Sequence, residues 1–498
     1  MTSSAGNPAS NPGPPYADAR VPVARDAVPR RSLIGQALLD TFGDTGARLG
    51  ACWIVIVAVI AVFAPFLANS HPILYRLKGG ELDFPLVRHL TAIDVILLML
   101  FIHAVLVILR KTGAGMTLAL IVWPVATVGY IAGVASIAAS LLTFSLYRPA
   151  TADSSGLALV LAWLIWVVVH LLLIAVVAGL GWLLWKSSVS LFRAAIGGNR
   201  YRSLWISGVT FIVLSLASAY FIRPPSPVVY EEYRQAEAAG QTELVVRTII
   251  PYSPNDRLRD HPEETLTPPG VKHWLGTTNY SEDMLSRMIH ACRVALAIGL
   301  IATSIATLIG VAVGGLMGYY VGKLDLIGMR IVEIFEAIPT LILLLIVTVS
   351  IGRNLYLIMV VIGLLSWMSD ARFIRAEFFR IRNLDYVQAA IAAGLGRFSI
   401  IFRHMLPNGV APVLVNASFG IAGAILLEST LSFLGLGLGP DDPSWGQLLE
   451  QARSGGTGFS WWIATFPGLA IFLTVFSYIL IGEAMRDAID PKLKKSQG

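Results

Sequence analysis

The chain has 498 residues, of which 55% are hydrophobic and 14% charged, with a formal net charge of +6 and a mean hydropathy of +0.70. Soluble domains carry about 25% charged residues, so this composition excludes an ordinary water-soluble globular protein. Two cysteines, Cys52 and Cys292, are too few for a disulfide framework or a metal site and read as small buried hydrophobes.

Residues 1–49 read as a disordered cytoplasmic tail. The first 31 residues hold six prolines and no apolar run, which cannot bury a core and lacks the apolar segment of a signal peptide. Arg20, Arg25, Arg30, Arg31 and Arg48 precede the first apolar block, 52–67, and such positive flanks stay cytoplasmic. Further blocks lie at about 93–109, 117–143, 157–185, 204–222, 288–320, 330–350, 354–370, 410–436 and 461–484. Each is close to the length needed to cross about 30 Å of hydrocarbon as a helix, and most show no polar stripe. The expected fold is therefore all-α, a polytopic bundle of about ten spans with both termini in the cytoplasm.

The loop charges agree with that orientation. Arg110 and Lys111, then Lys186, Arg193, Arg200 and Arg202, then Lys323 and Arg330, fall on predicted cytoplasmic segments. The segment 223–286, predicted to be external, holds ten acidic residues against six Lys and Arg. Trp182, Trp185, Trp205, Trp461 and Trp462 stand at predicted helix ends, where indoles lie at the headgroup level.

No phosphate-binding G-x-x-x-x-G-K-[ST] loop, H-E-x-x-H pair or G-x-S-x-G elbow occurs. The chain therefore supplies no P-loop ATP hydrolysis, and no catalytic or metal-ligating residue is assigned. His103 and His170 lie within predicted spans without an obvious acidic partner and read as neutral, hydrogen-bonded imidazoles. A self-sufficient transporter would need intramembrane carboxylates or broken helices facing a midplane site. Glu333 and Glu336 are available, but they sit near a helix end.

The informative segment is the basic cytoplasmic loop 371–409. Its charge comes from Arg372, Arg375, Arg380, Arg382, Arg397 and Arg403 against Glu377 and Asp385. Asp385 is a fitting N-cap, Tyr386 to Ala393 is an Ala-rich helix former ending at Gly394, and the chain re-enters the membrane at Pro407. A short helix tied at both ends to membrane helices suits the transmission of a push from a cytoplasmic partner.

Gln388-Ala389-Ala390, Gly394 and Leu406-Pro407 resemble the EAA loop of ABC importer permeases. Gln388 stands where that loop has Glu, and His404 where a branched aliphatic residue is usual. The stretches 273–296, 318–339, 428–449 and 482–494 resemble, in order and spacing, the dipeptide/oligopeptide permease family. The resemblance implies a type I permease core over 287–485 with five spans. It implies that this chain forms half of a pathway for peptides or similar small solutes, and is not an enzyme. It marks Asp385, Tyr386, Gln388, Ala389, Ala390, Gly394, Arg403 and Pro407 as the ATPase-coupling loop. It also marks Pro339, Glu428, Gly435 and Gly437 as gating or pathway candidates. On the residues alone those glycines read equally as a turn, and Pro339 as a kink. The implied partners are a second permease subunit, two ABC ATPases and an extracytoplasmic solute-binding protein. ATP and Mg are used by the ATPases, and no cofactor is bound by this chain.

The chain departs from the family in two places. The span at 50–68 resembles the family's first helix, but 69–222 carries four extra spans. This fits an insertion, because an even number preserves the topology downstream. The external segment 223–286 is enlarged, and its end reads Thr278, Ser281, Glu282, Asp283, where the family commonly has Asp and then Gly-Arg-Asp. Residues 486–498 form the cytoplasmic tail.

Overall fold

The computed structural model describes residues 40–91, 94, 97–98, 101, 230–454 and 460–489. Residues 1–39 of the expected tail, the spans expected at 117–143, 157–185 and 204–222, nearly all of 93–109, His103, His170 and the last nine residues lie outside the described residues, whereas 45–49, expected in the disordered tail, already belong to the first helix.

Five described helices are long and apolar enough to cross a membrane. The first, α1 (Thr45–Leu67), starts where the Asp44 side chain accepts from Ala47 N at 2.9 Å. After it the chain forms strand β1 (Leu74–Leu77), then, beyond the undescribed segment, helix α2 (Glu232–Ala238) and strand β2 (Thr242–Val246). The strands pair antiparallel, with Leu74 opposite Val246, so the expectation of an all-helical chain misses one small sheet. Ala68 also bridges Ile250. The chain leaving α1 and the chain from residue 230 onward thus run side by side, and 69–91 joins 230–283 in one polar cap. Arg234 knots this cap by donating to both carboxylate oxygens of Asp256 and of Asp260, while Ser70 Oγ also donates to Asp256 at 2.5 Å.

The bundle follows: α3 (Met284–Tyr320), α4 (Lys323–Glu336), α5 (Thr340–Ile351), α6 (Leu355–Arg382), α7 (Asp385–Ala392), α8 (Leu406–Phe433), α9 (Trp445–Ser454) and α10 (Trp461–Ile489). The span expected at 330–350 is not one straight helix. α4 and α5 meet at a 71° bend, with Pro339 as the N-cap of α5 at φ −60° and ψ 115°. Proline pushes its predecessor out of the α region and cannot donate to the preceding turn, so the helix breaks there. The span expected to end at 370 instead continues to Arg382. Ile374, Phe378 and Ile381 recur at helical spacing and are buried, so the arginines between them sit on a helix rather than on a loop.

The central helix α3 packs on α1, α6 and α8. Val57 and Ala61 meet Ala291, Ala295, Ile471 and Val475 on one side, and Ile298 meets Ile358, Ile362 and Leu431 on the other. Between spans in lipid, close packing of small residues replaces the hydrophobic drive. Gly310, Gly314 and Gly318 carry this contact, because a Cβ on any of them would run into Asp370, Ala371 or Phe378 of α6. Gly314→Val is therefore expected to destabilise the bundle by about 1–3 kcal/mol through overpacking. Gly468→Ala, where nothing lies within 4 Å, should be silent. Melting of the detergent-purified chain checks both, and equal melting temperatures would remove the α3–α6 contact as a determinant. Cys292 is buried, but Cys52 lies on the exposed face of α1, contrary to the sequence reading.

Candidate functional site: the short helix between two spans

At one end of the bundle α7 is clamped between the extension of α6 and the start of α8. Val387 and Ala390 are its buried residues, sealed against Ile374, Phe378, Ile381, Ile400, Ile401 and Met405. Its other face is open: Asp385, Tyr386, Gln388, Ala389, Ile391 and Ala392 are exposed. The N-cap is Leu384, not Asp385 as the sequence suggests. Asp385 stands in the first turn, where a carboxylate still favours the helix dipole without capping it. Gln388 Nε2 donates back to Arg382 O at 2.9 Å and pins the entry.

The exit is a Schellman motif. Gly394 adopts φ +73°, its N–H donates to Ile391 O at 3.0 Å, and Leu395 N donates to Ala390 O at 3.2 Å. A single helical turn, Arg397–Ser399, then passes into a π-helical stretch, Ile400–Met405, before α8. Pro407 occupies the first turn of α8, where its missing N–H leaves no bond unmade. The whole connection is thus a braced lever, with both ends continuous with membrane helices.

Around α7 the charges sort into two groups. Arg375 and Arg372 are held by Asp325 and Glu336 of α4, and Arg380 pairs with Glu377. Arg382, Arg397 and Arg403 have no ion pair among the described residues, and Arg397 stacks over the Tyr320 ring at 5.7 Å. Sequence reading missed the apolar part of this surface. Phe398 is 77% and Phe402 59% exposed, their rings stacked with centroids 6.2 Å apart, beside exposed Leu395 and Ile391. Two aromatics four residues apart in a basic segment, with no core position left for them, are the signal that could have found them.

The remaining sequence candidates lie toward the other end. Glu428 is buried at 2% exposure and accepts from Ser432 Oγ at 2.8 Å and Ser444 Oγ at 2.7 Å. Ser444 in turn accepts from Gly446 N and Gln447 N, so Glu428 links α8 to the start of α9. Gly435, at φ +78°, ends α8 with the same motif as Gly394. Gly437 lies so close to Ser432 that a Cβ would collide with it.

The comparisons with known proteins fall on this architecture. The family described as "Binding-protein-dependent transport system inner membrane component" matches residues 310–495, which span α7 and its clamp. The chain is 34% identical over 253 residues to the dipeptide transport system permease DppC of Bacillus subtilis, covering 51% of this chain and 79% of that one. It is 37% identical over 243 residues to the glutathione transport system permease GsiD of Pectobacterium atrosepticum, covering 49% and 78%. It is 36% identical over 254 residues to the di/tripeptide transport system permease DppC of Pseudomonas aeruginosa, covering 50% and 82%. Several apolar helices and a braced connecting helix, on a sequence that aligns with most of the length of such permeases, have one reading. The chain belongs to the family of inner-membrane components of binding-protein-dependent transport systems, as a multi-pass permease subunit of an ABC importer that works with ATPase and other permease subunits.

Proposed function

We propose that the chain forms half of the translocation pathway for peptides or closely similar solutes, with α7 as the element that an ABC ATPase grips. The observation that carries this is the two-sidedness of α7: one face sealed into the bundle, the other open, with both ends fixed to spans. A helix held in that way transmits displacement rather than absorbing it. The unpaired Arg382, Arg397 and Arg403 and the exposed Phe398 and Phe402 supply a basic, partly apolar contact rim. The positive end of the bundle then faces the cytoplasm, as do both termini. The polar cap at the opposite end faces the solute-binding protein. The assembly holds two permease subunits and two ATPases, and ATP with Mg acts on the ATPases alone. ATP binding biases the permease between inward- and outward-open states, a population shift driven by differential affinity. The solute class rests on the printed names of the relatives, which are permeases for dipeptides, tripeptides and glutathione.

Ala389 tests the docking role cleanly, because it lies on the exposed face of α7. Ala389→Glu is expected to cut co-purification of the ATPases and solute uptake by at least about tenfold, the effect of roughly 1.4 kcal/mol at the contact. Membrane insertion and melting should stay unchanged. Gly394→Pro, which cannot adopt φ +73°, should uncouple uptake by disordering the lever. Normal uptake in both variants would remove α7 from coupling.

A further inference from the structure

Asp370 lies in the middle of α6, fifteen residues after Leu355 and twelve before Arg382. It is 8% exposed, inside a candidate membrane span. Thr307 Oγ1 of α3 donates to its Oδ2 at 3.0 Å and Asn416 Nδ2 of α8 donates to its Oδ1, so the carboxylate joins three spans. Both neighbours are neutral donors. Among the described residues no Lys, Arg or His pairs with it, although α6 is rich in arginines that all point elsewhere. A buried carboxylate held by neutral donors alone is costly unless a cation reaches it.

It opens onto a cavity of about 270 Å³ between α3, α6 and α8. Thr303, Ser366, Ser369 and Asn416 line that cavity with Asp370, and Gly420 and Gly423 leave its wall low. Thr303 is 6% exposed, and its Oγ1 is buried with no hydrogen-bond partner among the described residues. That is a second, independent vacancy for a donor on the same wall. The exposed edge of the cavity carries Ser366, Ser369, Gly420 and Gly423, a polar, small-residue strip.

We infer that this cavity is a binding station for a protonated amine, with Asp370 supplying the charge and the Thr303 and serine hydroxyls accepting its remaining N–H groups. A primary ammonium has three donors and no acceptor, which matches one carboxylate, one unpartnered hydroxyl and a serine. The volume lies below the range of drug-sized pockets, so it takes one terminal group rather than a whole oligomer. The inference rests on the proposed transport of peptide-like solutes, whose free amino terminus is such a group. An inorganic monovalent cation is the rival source of the same charge.

The test uses the assembled transporter with its partners, so that any surface covered by another subunit stays covered. Methylammonium, tetramethylammonium and sodium chlorides are added at equal ionic strength, and melting is followed for the unchanged protein, Asp370→Asn and Thr303→Val. Methylammonium should raise the melting temperature of the unchanged protein by more than the other two salts, and leave that of Asp370→Asn unmoved. Thr303→Val should weaken that protection several-fold while melting no lower without ligand, because a hydroxyl with no partner has been removed. A purely structural Asp370 would leave Thr303→Val protected like the unchanged protein. That result, or equal protection by sodium, would overturn the inference. In proteoliposomes, Asp370→Asn should reduce alanyl-alanine uptake at least tenfold, with Asp370→Glu retaining part of it, and full uptake by Asp370→Asn would overturn the station on the pathway. If the unchanged transporter carries no alanyl-alanine, the solute reading fails, while the methylammonium comparison still decides the fate of the cavity.

Discussion

Arg287→Met is expected to lower the melting temperature of the detergent-purified chain by roughly 3–5 °C, the effect of losing about 3–5 kcal/mol in a chain of this size. Arg287 is fully buried, at 0% exposure, in the first turn of α3. Its guanidinium meets Glu282 at 2.7 Å and donates to Pro254 O at 3.1 Å, Pro440 O at 3.0 Å and Gln447 Oε1. One side chain thereby fastens the polar cap, the loop before α9 and α9 itself to the top of the central span. Glu282 is 1% exposed. Burial pushes its carboxyl above the ordinary range, against the opposing pull of Arg287 and Arg257. The pair is thus costly to desolvate, and its removal as a pair should be far milder than its breakage. Arg287→Met combined with Glu282→Leu is expected to recover at least about half of the loss, since no buried carboxylate is then stranded. If the double variant melts as low as Arg287→Met alone, the carboxylate is not the source of the penalty. If Arg287→Met melts within about 2 °C of the unchanged protein, the guanidinium does not hold the cap.

The legible parts of this protein are those written in one dimension. Spans such as α3 and α10 announce themselves because a run of apolar residues needs no partner to be recognised. The lever was legible for a related reason: Asp385 to Gly394 carries its own helix start, Ala-rich body and glycine stop within ten residues. What depends on distant contacts was hidden. Nothing local tells Leu74–Leu77 that it pairs with Thr242–Val246, since four and five residues of mixed polarity make no strand signal until two segments far apart in sequence meet. The extension of α6 was hidden because arginines at 372, 375, 380 and 382 outweigh, in composition, the buried Ile374, Phe378 and Ile381 between them. Pro339 gives a break in one context and a mild kink in another, and only the packed neighbours decide which. Asp370 was read as the end of a span, because a charge beside an apolar block marks a boundary unless the helix is known to continue. Its role therefore became visible only with Thr307 and Asn416 beside it.

The second large effect concerns His273, at the junction of the cap and α3. Its Nδ1 lies 2.8 Å from Asp283 Oδ2 and its Nε2 3.1 Å from Glu264 Oε2. Asp283 also caps α3, accepting from Ser286 N at 2.8 Å, and Lys272 meets Glu264 at 2.8 Å. The Tyr252 ring covers the imidazole at 4.8 Å. Burial would lower the pKa of His273, but the two carboxylates outweigh it and raise the value above the ordinary 6.5. For Glu264 burial acts upward, yet Lys272 and His273 prevail and hold it below the ordinary 4.5. The signs then follow from linkage. The imidazolium contributes its full stabilisation below about pH 6.5 and loses it as pH rises through the raised value. Glu264 contributes above about pH 4.5 and loses its share as pH falls through the lowered value. The junction should therefore be tightest between these limits and loosen on the alkaline side. His273→Gln keeps a donor but no charge, leaving Asp283 buried and unpaired at a cost of about 3 kcal/mol at pH 6. Melting followed from about pH 5.5 to pH 9 should fall on the alkaline side for the unchanged protein. It should start lower and run flatter for His273→Gln, the two curves converging as the imidazolium is lost. Parallel curves would mean that His273 does not carry the charge that fixes the cap to the first core span.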